Sequence, residues 1–332
     1  AKRGFFPLIL IISSGGRFMK TILVTGASGF IGREVTSALL QKGNNVIGTD
    51  TKASPLIGQP NFNFLQADIT DKSKISPILE SGKLDAVIHL ACSTDNDLDS
   101  VITDVEMKQS AQVDKYFYKT AVDAGIKDIL MLSTIQVYAP QKSREPVRET
   151  NDEKPFSNYA KMKADSEKEL GKSLKKGNSK GVVMRIAPVY SKDYNQNLHD
   201  RIYDYKDGVG FLYGEGNYGF SFCCVYNLVD FINGVLNQDG SYQYQGIYNV
   251  CDTNITLAKD IVEFERDFHK LGAVISRNYS SDAIKAALAN SGKRPKTDYR
   301  YVDLSTLTNN INFSNTKAQR ISTFRWNLDN TK

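Results

Sequence analysis

A tyrosine and a lysine four residues apart are the first candidates for chemistry in this sequence. Tyr159 and Lys163 lie on one face if their segment is helical, because residues i and i+4 are neighbours on a helix. A tyrosine with a pKa near ~10 is a poor base at neutral pH, but a nearby cation stabilises the phenolate and lowers that pKa. Ser133-Thr134 ends the preceding strand-like run, so a hydroxyl could reach the same substrate oxygen. We therefore predict that Thr134, Tyr159 and Lys163 form a catalytic set.

Three regularly spaced glycines are the second candidate, in this case for binding phosphate. Gly26, Gly29 and Gly32 follow one short apolar run and open a helical pattern. The first glycine permits a tight turn, the second lets the backbone approach a pyrophosphate, and the third lets the helix pack closely on a sheet. A helix that begins here directs free N–H groups and its positive dipole end toward the phosphates. This pattern predicts a dinucleotide cofactor.

The acid that ends the second strand-like run bears on which dinucleotide is bound. Asp50 can accept hydrogen bonds from ribose hydroxyls and would repel a 2′-phosphate, which favours NAD over NADP. Lys52 is close enough in sequence to leave NADP open as an alternative.

The elements that must position these residues alternate between strand and helix. Apolar runs at 21–24, 45–48, 62–65, 86–90, 128–132 and 181–186 predict strands, and the patterns at 29–41, 98–124 and 157–174 predict helices. Such alternation implies right-handed crossovers and a parallel sheet covered by helices on both faces. We predict an α/β fold, a doubly wound (Rossmann) sheet over 19–190, and a smaller substrate lobe over 191–332 with helices near 257–269 and 281–289.

Composition excludes several classes of function. The 332 residues carry a formal net charge of +5, and three of the basic residues fall within 1–18, so the remainder is too weakly basic for a nucleic-acid surface. Four cysteines and three histidines without ligand spacing predict neither a metal site nor a disulfide framework. We therefore expect a reduced, cytoplasmic protein without a membrane-spanning segment.

The first eighteen residues differ from the rest of the chain. A basic start, an apolar run at 5–12 and small residues at 13–16 imitate a short signal peptide, but the run is shorter than the ~20 residues that span a bilayer. We interpret 1–18 as an extension to the fold. An artificial or mis-started origin, a native docking arm and a targeting signal are the alternatives.

Taken in order, these motifs resemble those of the extended short-chain dehydrogenase/reductase family, and more closely its NAD-dependent epimerase/dehydratase group acting on nucleotide-sugars. The resemblance is specific from Met19 to Tyr190 and continues more weakly to Arg294-Pro295. It rests on the following segments: Gly26-x-x-Gly29-x-x-Gly32, Asp50, Asp68-Ile69, His89-Leu90-Ala91, Ser133-Thr134 with Val137-Tyr138, and Tyr159-x-x-x-Lys163.

The resemblance implies a role for each matching residue. Tyr159 would be the acid/base, Lys163 would hold the nicotinamide ribose and tune Tyr159, and Thr134 would bind the reacting hydroxyl. Asp68-Ile69 would flank the adenine and Leu90-Ala91 would line the cofactor cleft. Further cofactor contacts are expected from Ser28, Phe30, Ile31 and Ala187, and substrate contacts from Ser133, Thr134 and Arg294.

Four positions depart from the family pattern. Ile135 and Gln136 stand where the family's dehydratases carry a carboxylate pair, Pro188 replaces a usual asparagine, and Phe220 stands in place of an arginine that often meets a diphosphate. Arg294 matches a second such arginine only with a spacing that is one residue longer. The missing carboxylates predict that the protein is not a 4,6-dehydratase, because elimination of water needs an acid and a base there. An acid that reaches in from the substrate lobe is the alternative, with Glu149 and Asp193 as candidates.

The function we predict is an NAD-dependent, epimerase-like oxidoreductase acting on a nucleotide-sugar, with a homodimer as a further expectation. A reductase of a non-nucleotide carbonyl compound and a non-catalytic dinucleotide-binding scaffold are the alternatives. The intact Thr134, Tyr159 and Lys163 argue against a scaffold, because a scaffold needs no phenol beside an ammonium.

Overall fold

The computed structural model describes residues 19–92, 102–138, 145–155, 157–238, 244–277 and 312–331. Its central sheet has seven strands, and all their pairings are parallel. In chain order they are β1 (Thr21–Thr25), β2 (Asn45–Asp50), β3 (Phe62–Gln66), β4 (Ala86–His89), β5 (Asp128–Thr134), β6 (Lys180–Ile186) and β12 (Gly246–Val250). In space the order is β12-β6-β5-β4-β1-β2-β3.

Helices cover both faces of this sheet, which confirms the predicted doubly wound α/β fold. The helices are α1 (Phe30–Gln41), α2 (Lys72–Leu79), α3 (Asp104–Asp123), α4 (Asn158–Leu174), α5 (Gln196–His199), α6 (Val225–Leu236) and α7 (Ala258–His269). One buried cluster joins the sheet to α1 and α6, and a second joins it to α2, α3 and α4.

The two clusters follow from the alternation of side chains along each strand. In β1, Ile22 and Val24 belong to the cluster with α1 and α6, whereas Leu23 between them belongs to the opposite cluster. Because both faces are covered, the interiors of the central strands are apolar at consecutive positions, which is why they were recognisable as unbroken apolar runs.

The later part of the chain contains several small sheets. Their strands are β7 (Val189–Tyr190), β8 (Tyr203–Asp204), β9 (Val209–Tyr213), β10 (Gly219–Phe220), β11 (Cys223–Cys224), β13 (Thr256–Leu257) and β14 (Val274–Arg277). The pairs β7/β11 and β10/β13 and the triplet β14-β9-β8 form three separate sheets. An aromatic-rich cluster that includes Phe211, Tyr218 and Phe222 packs them against α7.

The later part of the chain also contributes to the central sheet. Strand β12 pairs with β6 from Gly246↔Val182 to Val250↔Ile186, and α6 packs beside α1. Both elements come from the range 191–332 that was assigned to the substrate lobe. The division at residue 190 stays a prediction, with the addition that the chain returns to the first unit after it.

Two helices differ from expectation at the level of local sequence. Helix α2 was not predicted, because Pro77 lies inside it and interrupts the pattern of a helix interior. Helix α3 begins after Thr103, whose hydroxyl accepts from the Glu106 N–H while the Glu106 carboxylate accepts from the Thr103 N–H. Because of this capping box, α3 starts later than the predicted residue 98. The structure does not describe residues 93–101 or the predicted helix at 281–289.

The packing of α1 gives a prediction about stability. A Cβ at Gly32 would lie 2.0 Å from the Gly26 carbonyl oxygen, whereas a Cβ at Gly171 within α4 meets nothing within 4 Å. We expect Gly32→Ala to displace α1 and to destabilise the protein by at least ~1–3 kcal/mol. Gly171→Ala should instead stabilise it by ~0.4–1 kcal/mol, because alanine is the better helix former. Chemical denaturation of both variants measures the difference, and equal stabilities would contradict this packing.

Candidate active site

The glycine loop between β1 and α1 adopts the conformation that its sequence predicts. Gly26 has φ +70°, in the left-handed region, and a Cβ there would lie 2.9 Å from the Ala91 backbone nitrogen. Gly26 thus allows both a turn and a close approach to the end of β4. Gly32 fits its predicted role as well, since its missing side chain lets the first turn of α1 pack on the loop.

Gly29 is different, because packing within the protein does not account for it. A Cβ at Gly29 would meet a single atom within 4 Å, the Gly26 carbonyl oxygen at the ordinary distance of 3.4 Å. Gly29 is the N-cap of α1, it carries no side-chain cap, and the first turn holds no acidic residue. The space that a side chain would fill lies beside free N–H groups, so the residues present fit a bound pyrophosphate.

A cavity of about 420 Å³ opens beside this loop at the carboxyl ends of the strands. It brings together seven of the predicted cofactor residues, namely Gly26, Gly29, Asp50, Asp68, Ile69, Leu90 and Ala91. Ser28, Phe30, Ile31, Gly32 and Ala187 are not part of its lining. The ring of Phe30 stacks instead on Tyr194, with centroids 4.1 Å apart, and Ala187 is buried with its N–H bonded to the Val250 carbonyl.

Asp50 is fixed in this cavity by the backbone of two loops. Its carboxylate accepts from the Ser28 N–H at 3.0 Å and from the Lys52 N–H at 3.1 Å. The Ser28 hydroxyl in turn donates to the Lys52 carbonyl at 2.8 Å. Ser28 therefore acts through Asp50, holding the carboxylate at the position predicted for the ribose contact.

One stripe of α3 forms a wall of the cavity that the sequence analysis did not identify. Glu106, Gln109, Ser110, Val113 and Asp114 line it. Their spacing of three and four residues is the signal that could have indicated a shared face. The 98–124 pattern predicted the helix but gave no reason to prefer this face over the others.

A buried polar network supports the part of the wall formed by the end of β4, next to the glycine loop. The Thr25 hydroxyl accepts from the Leu90 and Ala91 N–H groups, both at 3.1 Å, and lies 2.8 Å from Nδ1 of His89. Nε2 of His89 lies 3.2 Å from the Asp114 carboxylate. Burial raises the pKa of Asp114, but bonding to His89 and the charge of Lys163 outweigh burial, so the net pKa is lowered. The network fixes the backbone of Leu90 and Ala91 at the cavity.

The predicted tyrosine and lysine come together on α4. Ser157 caps the helix by accepting from the Ala160 N–H at 3.1 Å, and the Lys163 ammonium lies 5.9 Å from the centre of the Tyr159 ring. Lys163 is buried and donates to the Leu132 carbonyl at 2.9 Å. Burial lowers the pKa of Lys163, but Cys92, Tyr159 and Asp114 together more than offset burial, so the net pKa is raised. Lys163 thus stays charged beside the phenol.

Lys163 also connects the pair to the cofactor cavity. Neither Tyr159 nor Lys163 lines the cavity itself, but Cys92 and Asp114, which interact with the Lys163 ammonium, both do. Cys92 was not identified from the sequence as a site residue, and its place directly after Ala91 is the signal that could have found it.

The two hydroxyls at the end of β5 differ in what they contact. Ser133 is fully buried (0% exposed) and donates to the Glu167 carboxylate on α4. The Thr134 hydroxyl accepts from the Gln136 N–H at 3.2 Å, which leaves its own hydrogen available. Successive side chains leave a strand on opposite faces, which is why the two differ. The structure therefore favours Thr134 over Ser133 as the substrate contact.

Glu167 belongs to an ion cluster that attaches α4 to the sheet. Arg185 on β6 is fully buried and donates to Glu167 through Nε at 3.1 Å and through Nη2 at 2.7 Å, and it also pairs with Glu153. Burial opposes the charge on Arg185, but Glu167 and Tyr138 raise its pKa overall. This cluster, which the sequence analysis missed, fixes α4 relative to β5 and β6.

Some predicted features lie outside the residues that the structure describes. Arg294 and the extension at 1–18 are outside the described residues. Within the described ranges, no group of three histidine, cysteine or acidic residues is placed to hold a metal ion. No helix in those same ranges combines the length and the apolar composition needed to cross a bilayer. All four cysteines are free.

Known proteins resemble this chain at two levels. Curated relatives include the dTDP-D-glucose 4,6-dehydratase of Mus musculus, 30% identical over 162 residues that make up 46% of this chain and 45% of the relative. The UDP-glucuronate 4-epimerase of Thermodesulfobacterium geofontis is 31% identical over 160 residues, 44% of this chain and 48% of the relative. The chain thus spans about half the length of the curated relatives it matches.

Solved structures agree on the fold over a longer range. The UDP-glucuronic acid 4-epimerase of Bacillus cereus, solved with UDP-glucuronic acid and NAD, superposes with a TM-score of 0.68 at 19% identity, covering 93% of this chain and 95% of that one. The UDP-glucose 4-epimerase of Thermotoga maritima gives a TM-score of 0.64 at 20% identity, covering 79% and 86%. The model of the NAD dependent epimerase/dehydratase family matches residues 22–251, which include the glycine loop, Asp50 and the Tyr159/Lys163 pair, and the chain belongs to this family.

Proposed function

We propose that this protein is an NAD-dependent, epimerase-like oxidoreductase that acts on a nucleotide-sugar. The observation that carries the proposal is the position of Lys163, a buried ammonium that lies beside the Tyr159 ring, interacts with Cys92 and is attracted by the charge of Asp114, both of which line the cofactor cavity. Names of relatives and neighbours support the same class, since they include nucleotide-sugar epimerases and dehydratases and structures that contain NAD.

Different residues of the cavity fit the different parts of NAD. The α1 N-terminus beside Gly29 would hold the pyrophosphate, Asp50 the adenosine ribose, and Asp68-Ile69 the adenine. When bound, NAD supplies reversible hydride transfer. The chain's own contribution is orientation, because the Thr25–His89–Asp114 network and the Asp50 contacts fix the walls before any ligand enters.

Tyr159 would move the proton in the reaction. The Lys163 ammonium favours the phenolate electrostatically, so the phenolate can accept a proton from a sugar hydroxyl. Thr134, whose hydrogen is available for donation, would hold the same oxygen. When the hydride returns to the opposite face of the sugar carbon, Tyr159 would give the proton back to the oxygen, and the configuration at that carbon is inverted.

Some relatives are named dehydratases, so the residues after Thr134 bear on which reaction the protein catalyses. Ile135 packs into the core, and Gln136 is exposed and has no titratable group. Glu149, a carboxylate that could replace the missing acid, instead accepts from the Asn249 N–H at 2.9 Å. These contacts favour epimerisation over elimination of water.

Replacement of the proposed acid/base gives the first functional test. Tyr159→Phe should lower turnover by ~10²–10⁴-fold, because the proton has no other positioned carrier, while NAD affinity stays nearly unchanged. Steady-state kinetics and a cofactor titration measure both. Tyr116→Phe, a change on α3 outside the cavity lining, is the control and should retain activity. Near wild-type turnover in Tyr159→Phe would refute the assignment.

Cofactor preference gives a second test at Asp50. Asp50→Ala should weaken NAD binding and relax the rejection of NADP, because both the ribose acceptor and the repelling charge are lost. Asp50→Asn removes the charge but keeps an acceptor for the Ser28 N–H, so it separates repulsion from loop support. Fluorescence titrations with both cofactors provide the affinities. An unchanged preference in both variants would move the determinant elsewhere, with Lys52 as the next candidate.

The choice among reactions can be measured by mass. Incubation with dTDP-, UDP- and GDP-hexoses should yield products of unchanged mass, as expected for an epimerase without a carboxylate pair after Thr134. A product lighter by one water would show a dehydratase and contradict the prediction. Absorbance of the purified protein separates the reductase alternative, because tightly retained NAD favours an epimerase and freely exchanging cofactor favours a reductase.

A further inference from the structure

Arg201 is a half-buried cation that forms no salt bridge with any described residue. It lies between α5 and β8, and its backbone N–H donates to the Leu198 carbonyl at 3.0 Å. In the part of the chain that the structure describes, the guanidinium makes neither a salt bridge nor a side-chain hydrogen bond. Burial lowers the pKa of Arg201, and the charge of Asp200 only partly offsets this effect. Since burying an unpaired charge is costly, an anion from outside the chain is the expected partner.

The adjacent acid is already engaged by other groups. The Asp200 carboxylate is buried and accepts from the Tyr205 hydroxyl at 2.6 Å and from the Gln196 amide at 2.7 Å. Both bonds fall on Oδ1 of Asp200, and among the described residues no salt bridge within 4.0 Å joins this carboxylate to Arg201. Arg201 follows directly in sequence but points to a different neighbour.

That neighbour is Phe220. The Arg201 guanidinium carbon lies 5.8 Å from the centre of the Phe220 ring, a weak cation–π contact. Phe220 is the position at which the family resemblance places an arginine that meets a diphosphate. The positive charge missing from position 220 is thus present in the adjoining segment of the chain.

The location of this pair suits a ligand that extends from the cofactor cavity. Phe220 lies shortly before Cys223, whose N–H donates to the Pro188 carbonyl beyond the carboxyl end of β6. The segment that leads to Arg201 begins near the cavity, because Tyr194 stacks on Phe30 at the start of α1. The segment that carries Arg201 therefore starts at the edge of the sheet where parallel α/β folds bind ligands.

We propose that Arg201 binds the diphosphate of the nucleotide-sugar, replacing the charge that is absent at Phe220. The inference rests on the proposed function. A guanidinium offers several N–H donors in a planar fork that matches two phosphate oxygens, and such charge-assisted bonds are stronger than neutral ones. With the ligand bound, the half-buried cation gains its counter-ion.

Calorimetric titration of the NAD-loaded protein tests this assignment. UDP, dTDP and GDP are titrated first, and the diphosphate that binds is compared with its own nucleoside. Arg201→Gln should weaken binding of the diphosphate by about tenfold to a hundredfold and leave binding of the nucleoside unchanged. The affinity of Arg201→Lys for the diphosphate should lie between those of the unmutated protein and of Arg201→Gln, because lysine keeps the positive charge but lacks the planar set of N–H donors. Arg266→Gln removes an exposed cation from α7 and should have no effect.

A chemical measurement on the unmutated protein guards against variants that fold poorly. Phenylglyoxal modifies accessible arginines, and mass spectrometry of the peptide that carries Arg201 reports its rate. The diphosphate should protect Arg201, whereas the nucleoside should not. Unequal protection supports the contact, and equal modification with and without the diphosphate overturns it.

The outcomes separate this inference from the proposed function. If the unmutated protein binds none of the three diphosphates, the nucleotide-sugar proposal fails together with the inference. If a diphosphate binds and Arg201→Gln binds it equally well, only the role of Arg201 is refuted. If Arg201→Gln weakens binding of UDP-glucuronate but not of UDP, the proposed role is also refuted, because the partner of Arg201 would then be the sugar carboxylate.

Discussion

The ammonium of Lys163 is the interaction on which the arrangement of the site depends. A charge removed from water must find compensation in the protein, and here the compensation comes from three directions. The Leu132 carbonyl accepts from it at 2.9 Å, the Tyr159 ring lies on one side, and Asp114 and Cys92 lie toward the cavity. These requirements position α4 over the end of β5 with its first turns beside the cofactor cavity. The chemistry of Tyr159 follows from that placement.

Polar contacts with the sheet recur from turn to turn along one face of helix α4. Tyr159, Lys163 and Glu167 are spaced by four residues, so they share a face, and the last two bind polar partners on the sheet. Lys163 meets a carbonyl of β5, whereas Glu167 meets Ser133 and the buried Arg185. The anchored residues thereby determine the depth at which the phenol lies. A helix held by apolar contacts alone would have more freedom to shift along the sheet.

Sequence reasoning succeeded where chemistry imposes residue types at fixed spacing. Gly26 and Gly32 need to be glycine because of a positive φ in one case and a backbone oxygen at 2.0 Å in the other, and both causes are local. Strands such as β1 were predictable because their burial on both faces leaves an unbroken apolar run. The pairing of Ser133 with Glu167 could not be predicted in this way, because it depends on the packing of α4 on β5. The same holds for Arg201, because its contact with the Phe220 ring joins residues that are far apart in the sequence.

The return of β12 to the central sheet has a consequence for how the chain acquires its structure. Until Val250 has been synthesised, β6 has no partner on its outer side, and its N–H and C=O groups form an open edge. A nascent chain or a proteolytic fragment that ends near residue 190 would therefore leave the buried strand β6 unpaired on one side, with aggregation as the expected result. Pairing of β6 with β12 ties completion of the nucleotide-binding half to synthesis of residues that follow the small β7, β8 and β9 strands. For this protein, the shortest segment in which β6 is paired on both sides extends well past the last motif of its catalytic set.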